Sequence, residues 1–111
     1  MKHEMRLHNE PFELIKSGIK TIELRLYDEK RQQIQVGDEI EFTNRSTDEQ
    51  ILTKVIAMHI YSSFADLYRD YDKRSLGYKD DEEAKAEDME MYYSKEEQDK
   101  YGVVGIEINI M

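Results

Sequence analysis

The sequence predicts an α+β fold in which a small, mainly antiparallel sheet or partial β-barrel carries helices packed on its outside. The chain has 111 residues, which suits one domain with one modest core, so we assign residues 1–111 to a single domain. Segments with strand and helix patterns follow in the order strand, helix, three strands, two or three helices, strand. Because strands and helices do not alternate regularly, this order disfavours a doubly wound parallel sheet.

The chain begins with a predicted strand and a short helix. Apolar and polar residues alternate over residues 2–8 with the period of two that is typical of a half-buried strand. A helix of about two turns follows, with Asn9 or Glu10 as its cap, Pro11 in its first turn and Gly18 at its exit. Three apolar side chains have the spacing to face a core: Phe12, Ile15 and Ile19.

Three further strands are predicted in the first half of the chain. In the strand over residues 20–27, Ile22, Leu24 and Leu26 share one face, and the other face carries Thr21, Glu23, Arg25 and Tyr27. A turn at residues 36–38 precedes a strand over 39–43, whose inward residues are Ile40 and Phe42. Residues 50–61 are apolar on both parities, which predicts a strand that is bent, bulged or buried on both faces.

The second half is mainly helical until its end. Capping-box patterns at residues 63–66 and 94–97 predict two helices, of which Gly102 ends the second. Residues 72–81 read as irregular, whereas residues 82–93 are strongly helix-forming and predict a further docked helix. Alternation over residues 103–110 predicts the last strand.

Composition and charge limit the possible functions. The formal net charge of −9 argues against broad, non-specific binding of nucleic acid, which depends on Lys and Arg neutralising phosphates. The charge is uneven: residues 1–60 carry 9 basic and 11 acidic side chains, whereas residues 61–111 carry 7 and 14. We therefore expect any anionic ligand to bind the first half.

The sequence also indicates a cellular setting. No cysteine is present, which excludes disulfides and favours a reducing, cytoplasmic location. No stretch has the roughly 18–20 apolar residues of a membrane span, and the polar start is unlike a signal peptide. No His, Asp and Glu cluster has a metal-ligand spacing, so we expect neither a metal nor a cofactor.

The segment Ser17-Gly18-Ile19-Lys20-Thr21-Ile22-Glu23-Leu24-Arg25 concentrates two cations and a carboxylate at the start of a strand. Glu23 and Arg25 point to the same face, about 6.6 Å apart along the strand. Strict alternation places Lys20 on the opposite side unless it precedes the regular strand or a bulge turns it. From spacing alone, the more usual interpretation is an ordinary solvated face with a weak Glu–Arg pair.

Gly18-x-Lys20-x-x-Glu23-x-Arg25 resembles the G-x-K-x-x-E-x-R signature of ASCH domains. ASCH domains belong to the PUA-like superfamily, and the resemblance is to their small bacterial single-domain type. The short Pro-Phe-x-x-Ile helix before the signature, the Val-Gly-Asp turn after it and the closing 101–108 strand are similar as well. The resemblance implies a PUA-like β-barrel with outer helices and a cleft lined by the signature. It also implies binding of RNA or of a nucleoside or nucleotide, with Lys20, Thr21, Glu23, Arg25 and Tyr27 as ligand-binding residues.

The alternative implied by the resemblance is a hydrolase acting on a modified nucleoside or on RNA through the same cleft, with Lys20, Thr21 and Glu23 as candidate catalytic residues. One ASCH group hydrolyses the amide of acetylated cytidine with a Thr where this chain has Glu23. A carboxylate is a poor substitute for a Thr alkoxide, so we expect that this chemistry is not efficient here. The sequence leaves binding module and enzyme both open.

Several tyrosines, the histidines and two loop cations could either serve the structure alone or contact a ligand. Tyr68, Tyr71, Tyr92 and Tyr93 have helical core spacing, whereas Tyr61, like Tyr27, lies at a strand end where a base could stack. His3 and His59 are expected to be satisfied strand residues, and His8 either borders the cleft or lies on the surface. Lys30 and Arg31 are typical solvated loop charges that could also contact phosphate.

Overall fold

The computed structural model describes residues 1–111 and contains five strands and three α-helices. The strands are β1 (Lys2–Leu7), β2 (Ile22–Leu26), β3 (Glu39–Asn44), β4 (Gln50–Tyr61) and β5 (Val103–Ile110). The helices are α1 (Asn9–Lys16), α2 (Phe64–Asp70) and α3 (Lys95–Tyr101), and short 3-10 turns cover Arg31–Gln33 and Ala86–Met91. The predicted α+β class and element order are confirmed.

The five strands form one curled half-barrel sheet in the order β1-β3-β4-β5-β2, with helices packed outside it. β1 runs parallel to β3, whereas the other three pairings are antiparallel. The register of β4 against β5 shifts between Val55 and Ala57, so the long strand is bulged and its apolar residues change parity there. Because β1 and β2 are the two edges of the sheet, the half-barrel has an open seam between them.

Apolar side chains pack on both faces of the sheet. On one face, Phe12 and Ile15 of α1 join strand residues that include the fully buried Ile40 and Phe42. On the other face, Ile22, Leu24 and Leu26 of β2 pack against α2 and the segment after it. The three apolar side chains of β2 therefore share one face, as their alternation predicts, and that face lies toward α2.

Three local predictions are wrong. Residues 82–93 form no α-helix but an irregular segment with one 3-10 turn, since like charges such as Glu83 and Glu87 repel along a helix and tertiary contacts override propensity. The N-cap of α1 is His8 rather than Asn9 or Glu10, because Asn9 Oδ1 accepts a hydrogen bond from Asn44 Nδ2. Ile19 is exposed, since the chain has already left α1.

The other helices begin as their sequences predict. Ser63 caps α2 by accepting from the Asp66 amide, and Ser94 and Glu97 form a complete capping box at α3. None of the helices is both long and apolar enough to cross a membrane.

Candidate functional site

Three charged side chains, Lys20, Glu23 and Arg25, meet at the beginning of β2. The Lys20 Nζ lies 3.3 Å from Glu23 Oε1, and the Arg25 Nε donates to Glu23 Oε2 over 2.8 Å. Arg25 also donates from Nη2 to the Arg6 carbonyl of β1, 3.3 Å away. A guanidinium therefore bridges the open seam of the half-barrel, where no backbone ladder joins the two edge strands.

Lys20 reaches Glu23 because it precedes the regular strand. The chain leaves α1 through Gly18, whose φ of +81° is a left-handed conformation that glycine adopts readily. The amides of Thr21 and Ile22 then donate to the Ser75 carbonyl, so this stretch is tied to the segment after α2. Alternation along β2 consequently does not constrain Lys20, and its ammonium turns to the same side as Glu23 and Arg25.

Gly77 packs directly against the Lys20 side chain. A Cβ added at this glycine would lie 2.9 Å from Lys20 Cδ and 3.3 Å from Nζ, and the glycine φ is +102°. The neighbouring Leu76 carbonyl accepts a hydrogen bond of 3.2 Å from Lys20 Nζ. The Lys20 ammonium is thus fixed from two sides, by the Glu23 carboxylate and by backbone that approaches closely only because residue 77 lacks a side chain.

The two cations of the cluster share one carboxylate, so their charges are only partly neutralised. Lys20 and Glu23 are buried, with 8% and 5% of their surface exposed. Burial alone would raise the pKa of Glu23, but the nearby Lys20 and Arg25 outweigh it and hold that pKa below its ordinary value. The carboxylate is therefore ionised beside two cations, and the cluster carries one net positive charge.

The cluster lies in a cleft of about 610 Å³, a volume within the range of small-molecule sites. Among the charged groups that line it are four cations, Arg6, Lys20, Arg25 and Arg45, and two carboxylates, Glu23 and Asp88. Its lining is therefore positive although the whole chain carries −9. His8 also lines this cleft.

Four tyrosines form much of the wall opposite β2: Tyr68, Tyr78, Tyr92 and Tyr93. Tyr68 and Tyr78 share a hydrogen bond of 2.9 Å between their hydroxyls, and Tyr78 donates to Asp88 over 2.9 Å. Burial and these bonds raise the pKa of Tyr78 far above its usual value, so its hydroxyl stays protonated. Tyr93 stacks on Phe64, and Tyr92 is 58% exposed.

Comparison with known proteins gives the family of this chain. The model of the ASCH domain matches residues 5–111. The chain belongs to the ASCH domain family. A crystal structure of hypothetical protein PH0355 is similar over the full length of both chains, with 39% identity and a TM-score of 0.83. The solution structure of protein PF0455 from Pyrococcus furiosus has 37% identity and a TM-score of 0.73, over 100% of this chain and 98% of that one.

A third structure shares the fold alone. The crystal structure of ASCH from Zymomonas mobilis is 16% identical, with a TM-score of 0.67 over 97% of this chain and 66% of that one. No functionally curated protein matches this chain at a significant level.

The structure does not bring every candidate residue of this ASCH domain to the cleft. Thr21 and Tyr27 are absent from its lining. Tyr27 instead packs against the core cluster beneath α1, and the Tyr61 hydroxyl donates to Asp70. His3 and His59 are satisfied, at 2.9 Å from Asp38 and 2.8 Å from Glu107 respectively.

Several lining residues of the ASCH cleft escaped sequence reasoning. Arg6 and Arg45 come from β1 and from the turn after β3, and neither stands in a recognisable motif. Of the wall tyrosines, all but Tyr78 have core-like spacing in the sequence. In the structure Tyr68, Tyr78 and Tyr93 pack on the core while also lining the cleft. The only local signal was the irregular, Gly-containing stretch after α2.

The side chains of this ASCH cleft can make polar and aromatic contacts with a ligand. Its lining contains cationic N–H donors, protonated phenols and aromatic rings, but no Ser, Thr or Cys. No group of three or more His, Cys, Asp or Glu side chains is arranged to hold a metal ion. The arrangement suits an aromatic ligand with oxygen acceptors.

Proposed function

We propose that this ASCH domain binds RNA or a nucleotide, with one nucleoside unit seated in the cleft. The observation that supports the proposal most strongly is the burial of Lys20 beside Arg25 at the foot of a wall of tyrosine rings. ASCH domains are generally considered RNA-binding, and the two halves of this cleft match the two parts of a nucleotide. Rings stack on bases, and fixed cations bind carbonyl or phosphate oxygens.

Each member of the charged cluster has a distinct role in this proposal. The Lys20 ammonium donates to Glu23 and to the Leu76 carbonyl, which leaves one N–H for a ligand oxygen. Arg25 donates from Nε to Glu23 and from Nη2 to the Arg6 carbonyl, and its guanidinium also interacts with the Tyr93 hydroxyl, so only part of it remains for a ligand. Glu23 is a positioning residue, since both of its oxygens already accept from these cations.

A hydrolase acting through the same cleft has less support from the geometry. Thr21, the hydroxyl next to Lys20 in the sequence, is absent from the cleft lining. Glu23 is a weak base because its pKa lies below the ordinary value. We therefore expect purified protein to release no acetate from acetylated cytidine, and turnover that is lost in Thr21→Ala would make the hydrolase the leading function.

Isothermal titration calorimetry with nucleosides, nucleoside monophosphates and short single-stranded RNAs tests the proposal. We expect binding by at least one class, lost in Lys20→Met and lowered about tenfold or more in Tyr92→Ala, because stacking on one ring contributes about 1–3 kcal/mol. Ile60→Ala is the matched control, since Ile60 is 53% exposed and lies outside the cleft. Absence of binding by every class, or equal loss in Ile60→Ala, would overturn the proposal.

A further inference from the structure

A second concavity adjoins the nucleoside cleft at the seam of the half-barrel. It measures about 680 Å³ and shares Arg6, Arg25 and Arg45 with the cleft. Lys30 and Arg31, from the loop after β2, complete its five cations, against the two carboxylates of Glu4 and Asp48. We call this second concavity the cationic groove.

The cations of the groove are exceptional for this chain because most are not neutralised. Arg6, Lys30 and Arg45 form no ion pair, although carboxylates outnumber cations by 25 to 16 in the whole sequence. All three are also exposed. Like charges gathered without partners repel each other, so the cluster favours an anion that binds among them.

Hydrogen bonds hold the backbone at Arg45 and the side chain of Arg31 in place. Arg45 donates its amide to the Leu7 carbonyl over 2.9 Å, so the turn after β3 is tied to the end of β1, next to Arg6. Arg31 is oriented by two bonds to Asp28, from its amide over 3.1 Å and from Nη1 over 3.0 Å. Its Nε is the one buried side-chain polar atom without a hydrogen-bond partner, an unmet donor in the groove wall.

We infer that the cationic groove is a phosphate subsite, and that the ligand of this domain is a short single-stranded oligonucleotide. Its base occupies the cleft, and the phosphodiesters next to it cross the groove. Three cations without an ion-pair partner, Arg6, Lys30 and Arg45, share the groove of about 680 Å³ with two cations that are ion-paired. This spread of unpaired charge favours the several phosphates of an oligonucleotide over the one phosphate of a mononucleotide. The inference rests on the proposed function for the base and adds the backbone contact.

Binding is measured for a nucleoside, its 5′-monophosphate and a tetranucleotide of the same base, at several salt concentrations. We expect the tetranucleotide to bind at least tenfold more tightly than the monophosphate. Lys30→Gln should weaken tetranucleotide binding severalfold, leave nucleoside binding unchanged and reduce the slope of log K against log salt by about 0.7, the value for one contact to a single strand. Arg45→Gln should weaken the binding of both ligands, because Arg45 lines the cleft as well as the groove. Lys54→Gln is the matched control, since Lys54 is exposed, unpaired and outside both concavities.

The binding measurements distinguish an error in the groove inference from an error in the proposed function. If the nucleoside binds but the tetranucleotide responds equally to Lys54→Gln and to the groove variants, the groove inference is wrong while the proposed function stands. If the monophosphate binds as tightly as the tetranucleotide, the oligonucleotide assignment is wrong. If the tetranucleotide binds through the groove but no change in Tyr92 or Lys20 affects it, the groove stands and the nucleoside cleft is wrong.

Discussion

The two walls of the cleft are built in opposite ways. The strand wall at β2 presents charged groups that are bonded to one another within six residues, from Lys20 to Arg25. The opposite wall, residues 68–93, is largely irregular and presents tyrosines, most of which pack on the core and two of which share a hydrogen bond. The strand wall supplies fixed charge, and the irregular wall supplies aromatic surface and the backbone that positions Lys20.

The strand wall is expected to be the more sensitive to single substitutions. Glu23→Gln leaves the buried Lys20 and the partly buried Arg25 without their shared carboxylate, and breaking a buried ion pair from one side costs about 3–5 kcal/mol. Urea denaturation should show this loss in the free energy of unfolding. Glu41→Gln is the control, because its pair with Lys2 is more exposed and contributes about 0–1 kcal/mol. Equal effects of the two variants would contradict the structural role assigned to Glu23.

The contact between the two walls gives the next largest effect. Gly77→Ala places a Cβ against Lys20 at a φ of +102°, whereas Gly37→Ala meets nothing within 4 Å at a φ of +96°. Backbone strain of about 1–3 kcal/mol is common to both. Only Gly77→Ala should destabilise further and weaken ligand binding, as measured by denaturation and calorimetry. If the two alanine variants behave alike, Gly77 does not position Lys20.

Acid titration gives a smaller effect from the same cluster. Because the folded-state pKa of Glu23 lies below its ordinary value of 4.5, its contribution to stability is present above about that pH and is lost as the pH falls through the folded-state pKa. One such proton accounts for at most about 1.4 kcal/mol per pH unit. Unfolding free energies below pH 4.5 should therefore fall less steeply in Glu23→Gln than in wild type. Parallel curves would show that Glu23 does not titrate as assigned.

A substitution at the exposed end of the irregular wall should change ligand affinity without changing stability. Tyr92→Ala is expected to change the unfolding free energy by no more than about 0.5 kcal/mol, since the ring is largely exposed. Its effect should fall on ligand affinity instead. A thermal melt of the free protein alongside calorimetry distinguishes the two, and a large loss of stability would show that the ring packs as part of the core.

The contrast between the walls also explains what sequence reasoning predicted. The strands, the capped helices and the Lys20, Glu23 and Arg25 cluster depend on local alternation, capping and one short signature, all of which are visible in the sequence. The convergence of Lys20 required only that it precede the regular strand.

The features that the sequence did not predict depend on tertiary contacts. Residues 82–93 have helix-forming composition, yet the Glu82 carbonyl accepts from Lys73 Nζ and Asp88 accepts from Tyr78, and neither bond follows from local pattern. Arg6 and Arg45 join the site only because β1 and β3 pair in parallel, which places both near the seam. Thr21 and Tyr27 have the parity of Glu23 but lie beyond the ends of β2 and outside the cleft.

An amide NMR titration of wild-type protein with a short single-stranded RNA tests the proposed site most directly. We expect perturbed resonances to cluster at residues 20–25, 76–78 and 88–93, with Arg6 and Arg45 at the seam. Perturbations confined to the opposite side of the sheet, around His59 and Glu107, would show that the ligand binds elsewhere.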